Sequence, residues 1–139
     1  MKKILVGVDG SPRQAGVIAR AVELARSSGA RITLLRAASV PTELPPEAYL
    51  MPDEELAKTL EKHALGELNE AAHAIPIGIV EDLLVVLDEP WRAICKTADE
   101  RQIDRIVIGA HGYGLIERIV GTTASKVVNH STRSVLVVR

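Results

Sequence analysis

Cysteine, excess charge of either sign and long apolar stretches are all scarce in this sequence of 139 residues. Because Cys95 is the sole cysteine, an internal disulfide is excluded and no second thiolate is available for a metal; the expected compartment is a reducing one, by default the cytoplasm. The 17 basic and 18 acidic residues give a formal net charge of −1. That balance provides no excess of positive charge that would attract nucleic acid or an anionic membrane surface.

No apolar run approaches the ~20 residues that a membrane-spanning helix needs. The start of the chain superficially resembles a signal peptide, but Asp9 interrupts its apolar run, so we interpret this stretch as a strand. We expect no membrane association. The hydrophobic share of 47% and the charged share of 25% are ordinary for a globular protein, and we expect residues 1–139 to form one domain.

Hydrophobic periodicity predicts five strands separated by four helices. The predicted strands are Lys3–Val8, Arg31–Ala37, Leu83–Leu87, Arg105–Ile108 running into Gly109, and Ser134–Val138. The predicted helices run from about Pro12 to Ser28, from Pro52, from Pro90, and from a cap at Thr122 or Thr123. Strands that alternate with helices indicate right-handed crossovers and a parallel sheet covered on both faces, an α/β fold.

Several boundaries rest on specific local signals. Ser11 followed by Pro12 and Gln14 is a capping-box arrangement, which predicts that Ser11 caps the first helix. Pro41, Pro45 and Pro46 predict a loop without regular structure. Residues 74–81 are ambiguous between loop and strand, because Pro76 and Gly78 interrupt an apolar stretch, and they are left open.

Two loops have the chemistry of a ligand site. In an open parallel sheet, ligands bind beyond the carboxyl ends of the strands. Asp9-Gly10-Ser11 follows the first strand, and the glycine-rich segment 109–114 follows the fourth and leads to Gly121-Thr122-Thr123 at a helix start. Glycines allow backbone N–H groups to approach an oxyanion, and a helix N-terminus presents unpaired N–H groups, so this second segment predicts a phosphate cradle.

The segment from Gly109 to Thr123 resembles the ATP-binding pattern of the universal stress protein family. That pattern is G-x-x-G, nine residues, then G-[S/T]; here Gly109-Ala110-His111-Gly112 is followed by eight residues and Gly121-Thr122-Thr123, one residue fewer. The resemblance extends over essentially the whole chain. It implies a Rossmann-like open sheet in the order 3-2-1-4-5, similar to the adenine nucleotide alpha hydrolases.

The resemblance also implies a site and a ligand. The ligand would be ATP, with Mg²⁺ carried by its phosphates, and the protein would be a stress-response binding module, at most a slow ATPase. The implied binding residues form three groups around the nucleotide. Gly7, Val8, Asp9 and Ala37 would lie near the ribose and adenine; Gly109, His111 and Gly112 along the ribose and phosphates; and Gly121, Thr122, Thr123 and Ala124 at the phosphate tail.

Several of these residues also have interpretations that involve no ligand. Asp9 has two open roles, as a cap of its own turn and as a ligand contact. His111 has no histidine at metal-ligand spacing, and Cys95 fits a small buried hydrophobe; Arg118 and Lys126 are weak phosphate candidates. Neither the Walker pattern nor G-x-G-x-x-G after the first strand is present, which argues against P-loop and dinucleotide-binding proteins.

The chief alternative function is a nucleotide-free stress protein that acts through protein contacts. The final strand is apolar from Val135 to Val138 and has no proline or interior charge, so it would be adhesive at an uncovered sheet edge. Pairing of two copies would cover that edge. We therefore expect a homodimer, which the family resemblance also implies.

Overall fold

The computed structural model describes residues 2–38, 45–110 and 121–139. Five strands and four α-helices alternate along these described ranges. The strands are β1 (Lys3–Val8), β2 (Arg31–Ala38), β3 (Val80–Leu87), β4 (Arg105–Gly109) and β5 (Ser134–Val138). The helices are α1 (Gln14–Ser28), α2 (Asp53–Ala72), α3 (Pro90–Glu100) and α4 (Thr122–His130), with a short 3₁₀ helix at Pro46–Leu50.

The strands form one parallel sheet in the order β3-β2-β1-β4-β5, which confirms the predicted fold. β1 is the central strand, with Ile4 opposite Ile32 of β2 and Arg105 of β4. Its residues Ile4, Leu5 and Val6 are all 0% exposed. A strand buried on both faces is continuously apolar rather than alternating, as the Ile4–Val8 run is.

Helices cover both faces of the sheet. α1 and α2 pack against one face, where Ile18, Val22 and Leu68 join the core. α3 and α4 pack against the other face through Ile94 and Val127. Because α1 leaves β1 toward one face and α4 leaves β4 toward the opposite face, the neighbouring carboxyl ends of β1 and β4 flank a crevice where a doubly wound sheet binds its ligands.

The predicted cap of α1 is wrong. The helix begins at Gln14, with Arg13 in the N-cap position and no side-chain cap. Ser11 instead sits in a preceding turn, in which the backbone N–H of Gln14 donates to the Ser11 carbonyl at 3.1 Å. The Gln14 side chain reaches back to the N–H of Gly10, at 3.0 Å, rather than to Ser11. The carboxylate of Asp9 already accepts the Ser11 N–H, which removes the reciprocal bond that a capping box requires.

Three other boundaries differ from the sequence-based expectation. Gly121, and not Thr122 or Thr123, occupies the N-cap position of α4. The proline-rich loop contains the 3₁₀ helix Pro46–Leu50, because proline is compatible with the first position of a helix. The stretch 74–81, for which the sequence left both loop and strand open, is loop up to residue 79 and strand from Val80. β3 therefore begins three residues before the predicted start.

No helix within residues 2–38, 45–110 and 121–139 is long and apolar enough to cross a membrane.

Candidate functional site

A cavity of about 230 Å³ lies at the carboxyl ends of β1, β2 and β4, beside the first turns of α1 and α4. It gathers nine of the eleven residues that the family resemblance had indicated. These are Gly7, Val8, Asp9, Ala37, Gly109, Gly121, Thr122, Thr123 and Ala124. The other two, His111 and Gly112, lie outside the described residues. Residues 115 positions apart in sequence, Asp9 and Ala124, therefore share one cavity.

The loop after β1 is held in a tight turn by side chains. Oδ1 of Asp9 accepts the backbone N–H of Ser11 at 2.9 Å, so the turn-capping role of Asp9 is confirmed. Gly10 follows with a φ of 76°, a conformation that favours glycine. Among the described residues, Oδ2 of Asp9 accepts no hydrogen bond, which leaves an acceptor for a hydroxyl or amino group.

The apolar wall of the cavity depends on the absence of a side chain at Gly7. A Cβ at that position would lie 2.9 Å from Cδ1 of Ile94 and 3.1 Å from Cγ2 of Ile108. Glycine thus lets α3 pack directly against the backbone of β1, and this packing explains Gly7 without a ligand. The wall is completed by Val8, Leu35, Ala37 and Pro90. Such a surface suits a flat, weakly polar group such as a nucleobase.

The N-terminus of α4 supplies the polar wall. Its N-cap, Gly121, carries no side chain, and its carbonyl accepts the first helical bond, from Ser125 N at 3.0 Å. The N–H groups of Thr122, Thr123 and Ala124 precede that bond and have no acceptor within the helix. All three residues line the cavity. Unpaired N–H groups at the positive end of a helix dipole are suited to hold a phosphate.

Both ends of the segment between β4 and α4 are fixed by backbone hydrogen bonds. The N–H of Gly121 donates to the carbonyl of Ala110, and the N–H of Ala110 donates to the carbonyl of Val138 at 2.7 Å. Gly121 is thereby joined to the end of β4 and, through it, to β5. Although eight residues separate Gly112 from Gly121, one fewer than in the family pattern, Gly121 still lines the cavity.

Two arginines that the sequence reasoning did not single out also line the cavity, Arg13 before α1 and Arg36 near the end of β2. Nε of Arg36 lies 3.3 Å from Oε2 of Glu67 on α2. The other oxygen of Glu67 lies 2.9 Å from Nε2 of His63. Arg13 stands near a predicted helix start and Arg36 in a predicted strand, and a basic side chain at either position is normally solvated, so the sequence contained no signal that set these two apart.

Two of the remaining candidates, Lys126 and Cys95, do not line this cavity. Lys126 has its Nζ 5.9 Å from the centre of the Trp91 ring and is not among the cavity residues, and Arg118 lies outside the described part of the chain. Burial, and secondly the negative charge of Asp99, raise the pKa of the Cys95 thiol, which disfavours the reactive thiolate. No group of three or more His, Cys, Asp or Glu residues within the described ranges could hold a metal ion.

Comparison with known proteins identifies relatives over the full length of the chain. The model of the Universal stress protein family matches residues 1–139. The Universal stress protein YxiE of Bacillus subtilis is 32% identical over 145 residues, covering 99% of this chain and 98% of the relative.

Solved structures of similar proteins include two with bound nucleotides. A universal stress protein in complex with cAMP is 25% identical, with a TM-score of 0.63 over 99% of this chain and 96% of that one. The universal stress protein from Archaeoglobus fulgidus in complex with dAMP is 26% identical, with a TM-score of 0.58 over 100% of this chain and 98% of that one.

Proposed function

Because the chain belongs to the universal stress protein family, we propose that its cavity binds an adenine nucleotide and that residues 1–139 act as one nucleotide-binding regulatory domain in a stress response. The observation that carries the proposal is the convergence of the nine predicted residues on a single cavity. The complexes of two relatives with cAMP and dAMP support an adenine nucleotide as the ligand class.

ATP is the nucleotide that the glycine pattern favours. The adenine would lie against the apolar wall beside Ala37 and Ile94, and the phosphates would begin at the N–H groups of α4 that have no acceptor within the helix. The second oxygen of Asp9 would accept a hydrogen bond from the ribose or the adenine amino group. Mg²⁺ would enter on the phosphates, since it is commonly bound through them rather than by a cage of protein ligands.

We propose that the protein binds the nucleotide and at most hydrolyses ATP slowly. Asp9 is the one carboxylate among the described residues of the cavity, and its Oδ1 is already engaged by the Ser11 N–H. A base for efficient hydrolysis has to be free to accept a proton from water. Location in the cytoplasm belongs to the same proposal and rests on the lone Cys95.

The oligomer we propose is a homodimer that pairs β5 of two copies. The strand order puts β5 at one edge of the sheet, where its outer backbone groups are available to another strand. This pairing is compatible with nucleotide binding, because the cavity is formed by β1, β2 and β4.

Calorimetric titration with Mg-ATP tests the binding proposal. We expect heat from the wild type and at least about a tenfold loss of affinity in Gly121→Val, because a side chain at this buried cavity residue would take up space beside the N–H groups of α4. Gly121 has φ −64° and ψ 165°, a conformation open to any residue, so this change causes no backbone strain.

Gly78→Val is the matched control. Gly78 lies in the turn before β3, at the amino end of that strand, whereas the cavity lies at the carboxyl ends of the strands. A Cβ at Gly78 would meet nothing within 4 Å. This variant should bind Mg-ATP as the wild type does. A wild type that gives no heat with ATP, AMP or cAMP would support the alternative function, a nucleotide-free dimer that works through protein contacts.

A further inference from the structure

We infer that Arg13 is the side chain by which the cavity distinguishes nucleoside polyphosphates from nucleoside monophosphates. The inference rests on the proposed nucleotide binding and adds to it a residue that determines specificity. It depends on the charges around the cavity, on the position of Arg13 and on the small size of the space that they share.

The charges in the cavity are unevenly compensated. Of the described residues that line it, Arg13 and Arg36 are basic and Asp9 is acidic. Arg36 forms an ion pair with Glu67, whose carboxylate lies 3.3 Å from Nε without making a hydrogen bond to it, and its side chain is 26% exposed. Arg13 forms no ion pair with any residue in the described ranges, and it is exposed. Among the described residues that line the cavity, Arg13 is therefore the cation without an ionic partner.

The backbone of Arg13 is fixed although its side chain is free. Its carbonyl accepts the N–H groups of Gly16 at 3.2 Å and Val17 at 3.4 Å, which anchors the residue to the first turn of α1. It follows directly on the turn that Asp9 and Gln14 stabilise. A guanidinium on a fixed backbone loses less conformational freedom when it binds an anion than one on a loose loop.

Arg13 and the N-terminus of α4 border the same small space. Both line one cavity of about 230 Å³, so phosphates that begin at the N–H groups of α4 can extend toward the guanidinium of Arg13. The N–H groups of α4 suffice for one phosphate, whereas the added charge of a second and third phosphate requires another donor, and arginine binds phosphate oxygens in bidentate fashion.

Titration with adenosine, AMP, ADP and ATP, without Mg²⁺, tests the inference. In the wild type, affinity should rise from AMP to ATP. In Arg13→Gln, the ratio of ATP affinity to AMP affinity should fall about five- to tenfold, and Arg13→Lys should restore a large part of it. The salt dependence of ATP binding should also become shallower in Arg13→Gln, which a purely structural role of Arg13 would not produce.

Arg20→Gln is the matched control, because it removes the same charge from α1, the helix that Arg13 immediately precedes. Arg20 is 59% exposed and pairs with Glu23 at 2.9 Å, and it does not line the cavity. Its variant should keep the wild-type ratio.

Two results would overturn the inference alone: a wild type that binds AMP and ATP equally well, or an Arg13→Gln variant that weakens adenosine, AMP and ATP by the same factor. A wild type that binds none of the four compounds would overturn the proposed function, and this inference with it.

Discussion

At the scale of single residues, Asp104 fastens the beginning of the chain to the start of β4. Its Oδ2 accepts the backbone N–H groups of Lys2 and Lys3, each at 2.9 Å, while its own N–H donates to the carbonyl of Lys3 at 2.9 Å. The two N–H donors, that of Lys2 first, lower the pKa of the Asp104 carboxyl, assisted by the charges of the chain N-terminus and Arg133. Ionised Asp104 therefore favours the folded state.

Asp104→Asn should make stability less sensitive to acid. Because the pKa in the folded state is lowered, the stabilisation is fully present above the ordinary pKa of an aspartate and is lost as pH falls through the folded value. The melting temperature of the wild type should exceed that of the variant near neutral pH, and the difference should shrink as pH falls below 3.8, the ordinary aspartate pKa. Thermal unfolding followed by circular dichroism across this range measures it. A difference that is constant with pH would contradict the assignment.

Residues of the cavity differ in how far the sequence could indicate them. Asp9 and Gly121 stand in recognisable patterns, because turns and phosphate cradles need particular residue types at particular spacings. Arg13 has no such pattern: its importance depends on Arg36 being paired with Glu67, which is a contact between β2 and α2. Contacts between distant elements are set by packing and cannot be read from local sequence.

At the scale of elements, α2 is a long helix that few side chains hold to the sheet. It has 20 residues, of which Ala64, Leu68 and Ala71 are buried. Leu68 is the one large residue of the three and is 0% exposed. The ion pair of Glu67 with Arg36 adds a polar contact, but pairs that are partly exposed contribute little to stability. Docking of α2 therefore depends mainly on Leu68.

Leu68→Ala should lower the free energy of unfolding by about 2–5 kcal/mol, since it removes a fully buried side chain and leaves a cavity. Leu65→Ala is the matched control, because it makes the same change on the same helix at a residue that is 43% exposed. The control should cost under about 1 kcal/mol. Urea denaturation of the three proteins gives both values, and similar losses in the two variants would contradict the view that Leu68 anchors α2.

The sequence indicated the strands better than the helix starts. A buried central strand such as β1 is a continuous apolar run, and tertiary packing agrees with that pattern. The residue at which a helix starts depends on which group accepts a hydrogen bond from each backbone N–H there. The carboxylate of Asp9 and the side chain of Gln14 could both accept the N–H of Ser11, and only the folded geometry shows that Asp9 accepts it.

At the scale of the whole molecule, β5 is an edge strand, and one of its sides has no neighbouring strand within the described residues. The carbonyl of Val138 accepts the N–H of Ala110, so Val138 directs its backbone groups toward β4. Neighbouring residues of a strand point their backbone groups in opposite directions. Val137 therefore directs its N–H away from the sheet, toward the strand that would pair with it in the proposed homodimer.

Val137→Pro should convert the proposed dimer to a monomer. Proline removes an outward N–H, and it is tolerated on edge strands because the bonds to the inner neighbour are kept. Val137→Ala reduces the side chain but keeps the N–H, so this control should remain dimeric. Light scattering at micromolar concentration measures the mass, and circular dichroism checks the fold. A monomeric wild type, or a dimeric Val137→Pro variant, would argue against pairing through β5.

The hydrogen bond from Gly121 to Ala110 has a consequence for mutations at the edge of the sheet. It joins the start of α4 to the end of β4, and the N–H of Ala110 joins that end in turn to Val138 of β5. A change in β5 that displaces the Val138 carbonyl would therefore reach the start of α4 at the cavity, although no residue of β5 lines the cavity.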